Sequence, residues 1–256
     1  WERFSFYGMQ AILVYYMYKQ LGMAESDATA MVGAYGASLY LCTFAGGWIG
    51  DRVLGAERTL LTGCGLLVAG HLLLSLIPGY PGVGAGLLAI ALGSGFLKTA
   101  AVTLLGLAYP ADSGRRDAAF QIFYLGINVG ALFGPLLTGW LAQTRGYRAG
   151  FGAAAVLMII GAVFYGMLRP RVVQALAGAD ITRPTQPADR SHTRAAVGGT
   201  ATAVGAVLVA LATGALTPAR LVTGLLVLTV TAAVVLFAQA LTSPKVSAAE
   251  RASVRE

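Results

Sequence analysis

Charge is what this sequence has least of. Only 11% of its 256 residues are Asp, Glu, Lys or Arg, against about 25% in soluble globular domains. A chain so poor in charge cannot clothe itself in a solvated surface, which excludes a freely soluble domain. Cysteine is nearly absent: Cys42 and Cys64 both stand in apolar runs, as packing thiols do, and a disulfide scaffold is excluded. Histidine is as rare. His71 lies in an apolar run and His192 in a polar one, so no metal-ligand spacing exists and no metal is expected. No nucleophile stands near a base at workable spacing, which argues against an enzyme. No secretory signal pattern opens the chain. The net charge of +7 comes without a basic face or a folded soluble domain, so it does not mark a nucleic-acid binder.

Apolar length is abundant instead. The chain is 57% hydrophobic with a mean hydropathy of +0.71. A membrane-spanning helix needs about 20 mostly apolar residues. Eight such segments are predicted: Trp1–Gln20, Ala28–Ile49, Thr59–Pro78, Val83–Tyr109, Ala118–Thr144, Gly150–Leu168, Ala196–Ala215 and Ala219–Leu241. If the first runs from cytoplasm to outside, the inner loops hold Arg52, Arg58, Arg115, Arg116, Arg169, Arg171, Arg183, Arg190 and Arg194. The outer loops hold only Lys19, Arg145, Arg148 and Arg220. Basic residues concentrate in cytoplasmic loops, so this orientation is favoured. The expected fold is an all-α integral membrane protein that crosses its membrane many times.

The expected organisation has four parts. Residues 1–168 form a six-helix transmembrane bundle with short loops between antiparallel neighbours. Residues 169–195, with five arginines and with Pro170, Pro184 and Pro187, are too polar to span and form a cytoplasmic linker. Residues 196–241 form a hairpin turning at Thr217–Pro218, almost purely Ala, Val, Leu, Gly and Thr, and carry no chemistry. Residues 242–256, ending in Lys245–Glu256, read as the approach to a further helix. With no initiator methionine before Trp1, a fragment of a longer chain is expected.

Polar residues set among apolar ones point to a polar interior. Phe120–Leu132 reads FQIFYLGINVGAL, with Gly126, Gly130 and Gly134 every fourth residue around Asn128. Small residues at that interval let helix backbones approach in lipid. An intramembrane amide is expensive unless it faces a cavity or a partner. Gln121, Tyr124 and Asn128 share a face, and Pro135 is expected to kink the helix below them. Lys98, halfway along its span, must face the interior and pair there, with Glu2 the one acidic side chain expected within reach. Arg3, Tyr7 and Gln10 share a face of the first helix; Glu2 and Arg3 either serve that interior or sit in the headgroup region. Tyr35, Tyr40 and Tyr124 either line a cavity or pack. The segment Gly46–Gly55, GGWIGDRVLG, is expected to be a tight loop. Its Asp51 and Arg52 either cap helix ends or form a gate latch, to which Arg115, Arg116 and Asp117 can contribute.

These residues resemble a known family. WERFSFYG at Trp1–Gly8 is similar to the end of the first-helix motif E-x-x-E-R-F-x-Y-Y-G of proton-dependent oligopeptide transporters in the major facilitator superfamily. GGWIGDRVLGAERTLLTG at Gly46–Gly63 resembles their second-to-third-helix signature, and FYLGINVGAL at Phe123–Leu132 their fifth-helix signature F-Y-x-x-I-N-x-G. The resemblance implies the N-terminal six-helix bundle of that fold, followed by the helix pair that bacterial members insert before a second bundle. It implies proton-coupled symport of di- and tripeptides by alternating access, with the proton as coupling ion and no cofactor. The implied partners are small peptides as substrate, the lipid bilayer and a second half of the same chain. Glu2, Arg3 and Lys98 would serve proton coupling. Tyr7, Gln10, Tyr40, Lys98, Tyr124 and Asn128 would contact substrate, and Asp51 with Arg52 would form the cytoplasmic gate. Departures are visible. Phe6 replaces the first motif tyrosine, Gln10 stands where several members carry arginine, and Thr99-Ala100 replaces the Pro-Asn that follows the lysine. The alternative is a proton-coupled exporter of drugs or metabolites on the same fold. A receptor or scaffold is a further class, one that would need no intramembrane titrating pair.

Overall fold

The structure, a computed structural model, describes residues 1–109, 114–176 and 181–184, together with positions 223, 227, 230 and 231. Six α-helices carry the described fold: α1 Glu2–Lys19, α2 Glu25–Ile49, α3 Ala56–Leu76, α4 Gly79–Ala108, α5 Arg116–Arg145 and α6 Tyr147–Ala175. A π-helical turn, Gly50–Leu54, prolongs α2. Counting α2 with that turn, α2 to α6 are each long and apolar enough to cross a membrane, and α1 adds 18 helical residues. The expected hairpin 196–241 lies outside the described residues, save the four helical positions 223, 227, 230 and 231. The run-in 242–256 and most of the linker lie outside them too.

Two boundaries differ from expectation. Gly46–Gly55 is not a loop: α2 continues to Ile49, the π turn follows, and the chain reverses only at Gly55, whose φ of +81° suits a residue without Cβ. And α6 runs to Ala175, through Pro170 and past the expected end at Leu168. Proline forfeits one helical hydrogen bond, but Arg169 is held by an ion pair to α3 and Val172 packs against the core. Those contacts carry the helix past it. Likewise α5 continues as helix through Pro135.

Sequence neighbours are not always the packing partners. The most extensive contacts are α3 with α4, α1 with α5 and α2 with α4, whereas α1 and α2 touch lightly. Glycines decide this. A Cβ on Gly63 would meet the Gly93 carbonyl oxygen at 2.8 Å, and one on Gly70 the Gly86 carbonyl oxygen at 2.8 Å. These pairs bring α3 and α4 together at two points, two turns apart. In α5, Gly134 closes on Phe4 and Gly8 of α1, and a Cβ on Gly130 would meet the Phe4 nitrogen at 2.7 Å. Gly126, the third member of that row, has nothing near it. Between them the helices bury a core that includes Met9, Leu13, Met17, Leu67, Ile90 and Phe151. His71 is fully buried in the middle of α3 and serves as a core residue, with neither ring nitrogen hydrogen-bonded.

Replacing Gly63 by valine should destabilise the protein by about 1–3 kcal/mol through overpacking and lower its melting temperature in detergent. Gly65→Val, on the same helix with nothing within 4 Å, should leave the monodisperse yield on size exclusion near that of the parent.

Candidate functional site

The chemistry gathers where α1, α2 and α4 meet. A cleft of about 300 Å³ is lined by Arg3, Phe6, Tyr7 and Gln10 of α1, Gly36, Leu39, Tyr40 and Thr43 of α2, and Ser94, Gly95 and Lys98 of α4. The α2–α4 crossing builds it. Gly95 presses against Cys42, and a Cβ on Gly46 would meet the Gly95 carbonyl oxygen at 2.7 Å. That contact turns Ser94 and Lys98, one helical turn apart, toward α1. Five residues singled out from the sequence, Arg3, Tyr7, Gln10, Tyr40 and Lys98, therefore share one wall system.

Glu2 lies beside the cleft rather than in it. Its carboxylate accepts from Arg3 Nε at 2.9 Å and from the Ser94 hydroxyl at 3.2 Å. The two side chains are only 10% and 19% exposed. The pair sits level with the middle of α4. A buried carboxylate without a cation is heavily penalised, so the Arg3 contact and the Ser94 hydrogen bond are what permit its charge. Lys98 does not pair with Glu2 as expected. Among the described residues it makes no ion pair, and its Nζ sits 5.5 Å from the centre of the Tyr40 ring, an attraction of modest size at an accessible site. The cleft thus presents one cation matched by a carboxylate, Arg3, and one held only by a ring face, Lys98.

Beyond Lys98 lies a second cleft of about 330 Å³, shared with it by Lys98 and Thr43, and lined also by Gly47, Asp51, Thr59, Thr99 and Thr103. The hydroxyls of Thr43, Thr59 and Thr99 donate back to helix carbonyls: Thr43 to Tyr40, Thr59 to Gly55, Thr99 to Gly95. Their lone pairs are what they can offer to the space. Asp51 opens onto this second cleft. Arg52, its neighbour in the π turn, lines neither cleft.

Tyr124 and Asn128 stand apart from both clefts, on an exposed face of α5. The Asn128 amide donates to the Tyr124 carbonyl at 3.1 Å, a bond within its own helix. Sequence reasoning missed Thr43, three residues after Tyr40, and Ser94, four before Lys98, although both follow from helical spacing. It also missed Glu57. Glu2 is not the one acid inside the bundle, because α3 begins at Ala56 and buries the Glu57 side chain to 3%. Arg169 grips it twice, Nε to Oε1 at 2.6 Å and Nη2 to Oε2 at 3.0 Å, and the Tyr165 hydroxyl donates at 3.2 Å. The Glu57 backbone N–H donates to the Ile181 carbonyl at 3.0 Å. That bond satisfies a free donor of a helix start that has no side-chain cap. The backbone of Thr182 and Arg183 lies directly over Gly55, at 2.7–2.9 Å from where a Cβ would stand. Residues 181–183, inside the expected linker, are thus docked on the α2–α3 turn.

Comparison with known proteins agrees with this architecture. The model of the POT family matches residues 57–185. A protein of Bacillus subtilis (strain 168) described as an uncharacterized transporter, YclF, is 36% identical over 98% of this chain and 51% of its own length. A di-/tripeptide transporter of Lactococcus lactis subsp. lactis (strain IL1403) is 44% identical over 66% of this chain and 36% of its own. The crystal structure of a POT family transporter in complex with a thioalcohol-conjugated peptide superposes with a TM-score of 0.89 at 32% identity, covering 100% of this chain and 53% of that one. The chain spans about half the length of such relatives or less.

Breaking the Glu57 clasp has a definite signature. Arg169→Gln should lower the melting temperature, because it strands a buried carboxylate. Glu57→Gln with Arg169→Gln should cost less than the two single changes summed. A double-mutant cycle by thermal unfolding in detergent measures that difference.

Proposed function

The chain belongs to the POT family, and on that premise we propose that it is part of a secondary active transporter, a proton-coupled symporter of di- and tripeptides working by alternating access. The observation that carries the reading is the three-helix cleft in which Arg3, Tyr7, Gln10, Tyr40 and Lys98 converge beside the Glu2–Arg3 pair. A membrane bundle that gathers two cations, phenols and an amide around open space has no packing use for them.

The chemistry follows from the charges. A proton arriving at the Glu2 carboxylate removes the negative charge that holds Arg3. The guanidinium is then free to meet the carboxylate of an entering peptide, beside the Lys98 ammonium, while Tyr7, Gln10 and Tyr40 supply neutral hydrogen bonds to its backbone. Loss of the proton re-forms the Glu2–Arg3 pair and weakens the hold on solute. In this reading solute and proton each favour the same broken-pair state, which is thermodynamic coupling. A second bundle in the full-length protein faces the cleft and rocks against this one in the bilayer. Asp51 and Arg52, at the arginine-rich end, belong to the cytoplasmic gate. Tyr124 and Asn128 reach solute from the open face of α5. The proton is the coupling ion, no cofactor is needed, and the protein is not an enzyme.

One observation favours a second reading. Gln10 puts a neutral amide on the cleft wall and Phe6 a bare ring, so the cleft is less cationic than the family motif implies. A different small solute, as for a drug or metabolite exporter, fits that wall as well. The test is uptake of a labelled dipeptide by the full-length protein in proteoliposomes, with and without an inward proton gradient. Gradient-dependent accumulation that tripeptides compete is the expected result, and folded protein that takes up none shifts the substrate to another solute. Lys98→Ala should abolish gradient-driven accumulation while sparing counterflow exchange. Unimpaired accumulation in that variant removes Lys98 from the coupling.

A further inference from the structure

Tyr35 is the one group near the Glu2–Arg3 pair with no evident task. It is 4% exposed, and its ring stacks on Phe6 with centroids 6.4 Å apart and planes at 29°. Arg3 lies over the same Phe6 ring, its guanidinium carbon 5.4 Å from the centroid. The Tyr35 hydroxyl is buried and, among the described residues, has no hydrogen-bond partner. Leaving a hydroxyl unpaired in the interior costs stability that phenylalanine would not, so such a group calls for a reason. The same hydroxyl lies within electrostatic reach of both Glu2 and Arg3.

We propose that Tyr35 is a positioning residue of the coupling cluster, its hydroxyl a donor held in reserve for the Glu2 carboxylate as it gives up its proton, before Arg3 has returned from the solute anion. This inference rests on the proton-coupling reading above. With Arg3 turned away, protonated Glu2 keeps only the Ser94 hydrogen bond, too little for the buried carboxyl to release its proton and ionise. A phenolic O–H is a suitable replacement. It carries no charge to bind the solute in competition with Arg3, and it donates one bond that favours the ionised carboxylate. The sequence supports the same point. The first-helix motif has tyrosine where this chain has Phe6, and Tyr35 brings a hydroxyl to the Phe6 ring from α2. Tyr7, edge-on to the same Phe6 ring, lines the cleft, where its hydroxyl is given to the solute; the remaining titratable groups facing the cluster are Lys98 from α4, Cys42 from α2 and Cys64 from α3. None of the three is a neutral oxygen donor.

The experiment is Tyr35→Phe in the full-length protein, with the parent and the double variant Phe6→Tyr/Tyr35→Phe beside it. Each is assayed for gradient-driven uptake across pH, for counterflow exchange and for melting temperature. Without the hydroxyl, ionised Glu2 is harder to form. The midpoint of the pH profile should therefore move toward alkaline by about one pH unit, and the maximal uptake rate should fall severalfold. The solute KM in exchange should stay within twofold and the melting temperature should not drop. Returning a hydroxyl at position 6 should bring the midpoint back. A Tyr35→Phe profile superimposable on the parent's overturns the proposal, and so does a variant that fails to fold, since the hydroxyl would then have a structural partner. A parent with no gradient-dependent uptake defeats the coupling reading itself, and is told apart because the parent profile, not the variant's, is then flat.

Discussion

Everything in this bundle depends on how closely helix backbones can approach in lipid. Apolar side chains gain little by leaving hydrocarbon for a protein interior, so association rests on packing and on small residues at the crossings. The α3–α4 contact is fixed at Gly63–Gly93 and Gly70–Gly86, the α1–α5 contact at Gly8, Gly130 and Gly134, and the α2–α4 contact at Gly46 and Gly95. Each crossing also decides where side chains cannot go. Because α2 and α4 touch at Gly95, the flanking Ser94 and Lys98 project beside the crossing, and the open glycine Gly36 leaves room across from them. The cleft is a by-product of helices pinned at Gly95 on its own wall and at Gly8, Gly130 and Gly134 outside it.

The second constraint is electrostatic. Each of the two carboxylates buried in the bundle is given an arginine, but in different ways. Glu57 is met by a bidentate fork from another helix, with a phenol as third donor, a geometry suited to staying closed. Glu2 is met by a single contact from the adjacent residue and one hydroxyl, so opening it sacrifices less. The stronger clasp lies at the arginine-rich end, where α3, α6 and the segment around Ile181 join. The weaker lies against the three-helix cleft. A rigid end and an openable centre are what a bundle needs if it is to move as one body while a few central groups change partners.

Much of this was readable along the chain. The six helices of the bundle, the polar cluster on α1, and Lys98 as an interior cation all follow from apolar length and from the cost of charge in lipid, which are local properties of a segment. Tyr40, open to either packing or lining, proved to lie under the Lys98 ammonium. The fit was poorer wherever a distant contact overrode a local signal. Pro170 and the charge beside it argued for a linker, yet the Glu57 carboxylate on α3 extends α6 past both. The glycine pairs around Asp51 argued for a loop, yet backbone contacts with α4 keep that stretch helical.

The sequence by itself determined that the chain spans a membrane, where its helices fall, and which side chains are too polar to face lipid, because those follow from hydropathy and spacing over about 20 neighbouring residues. Only the tertiary structure decided which helix meets which. It also decided that Arg3 neutralises Glu2 while Lys98 is left to a ring face, that Glu57 is buried, and that the Tyr35 hydroxyl has no partner among the described residues. Apart from the Glu2–Arg3 contact between neighbours, those outcomes depend on contacts between residues far apart in the chain, such as Ser94 with Glu2 and Arg169 with Glu57, and no periodicity along one helix encodes its neighbour across another.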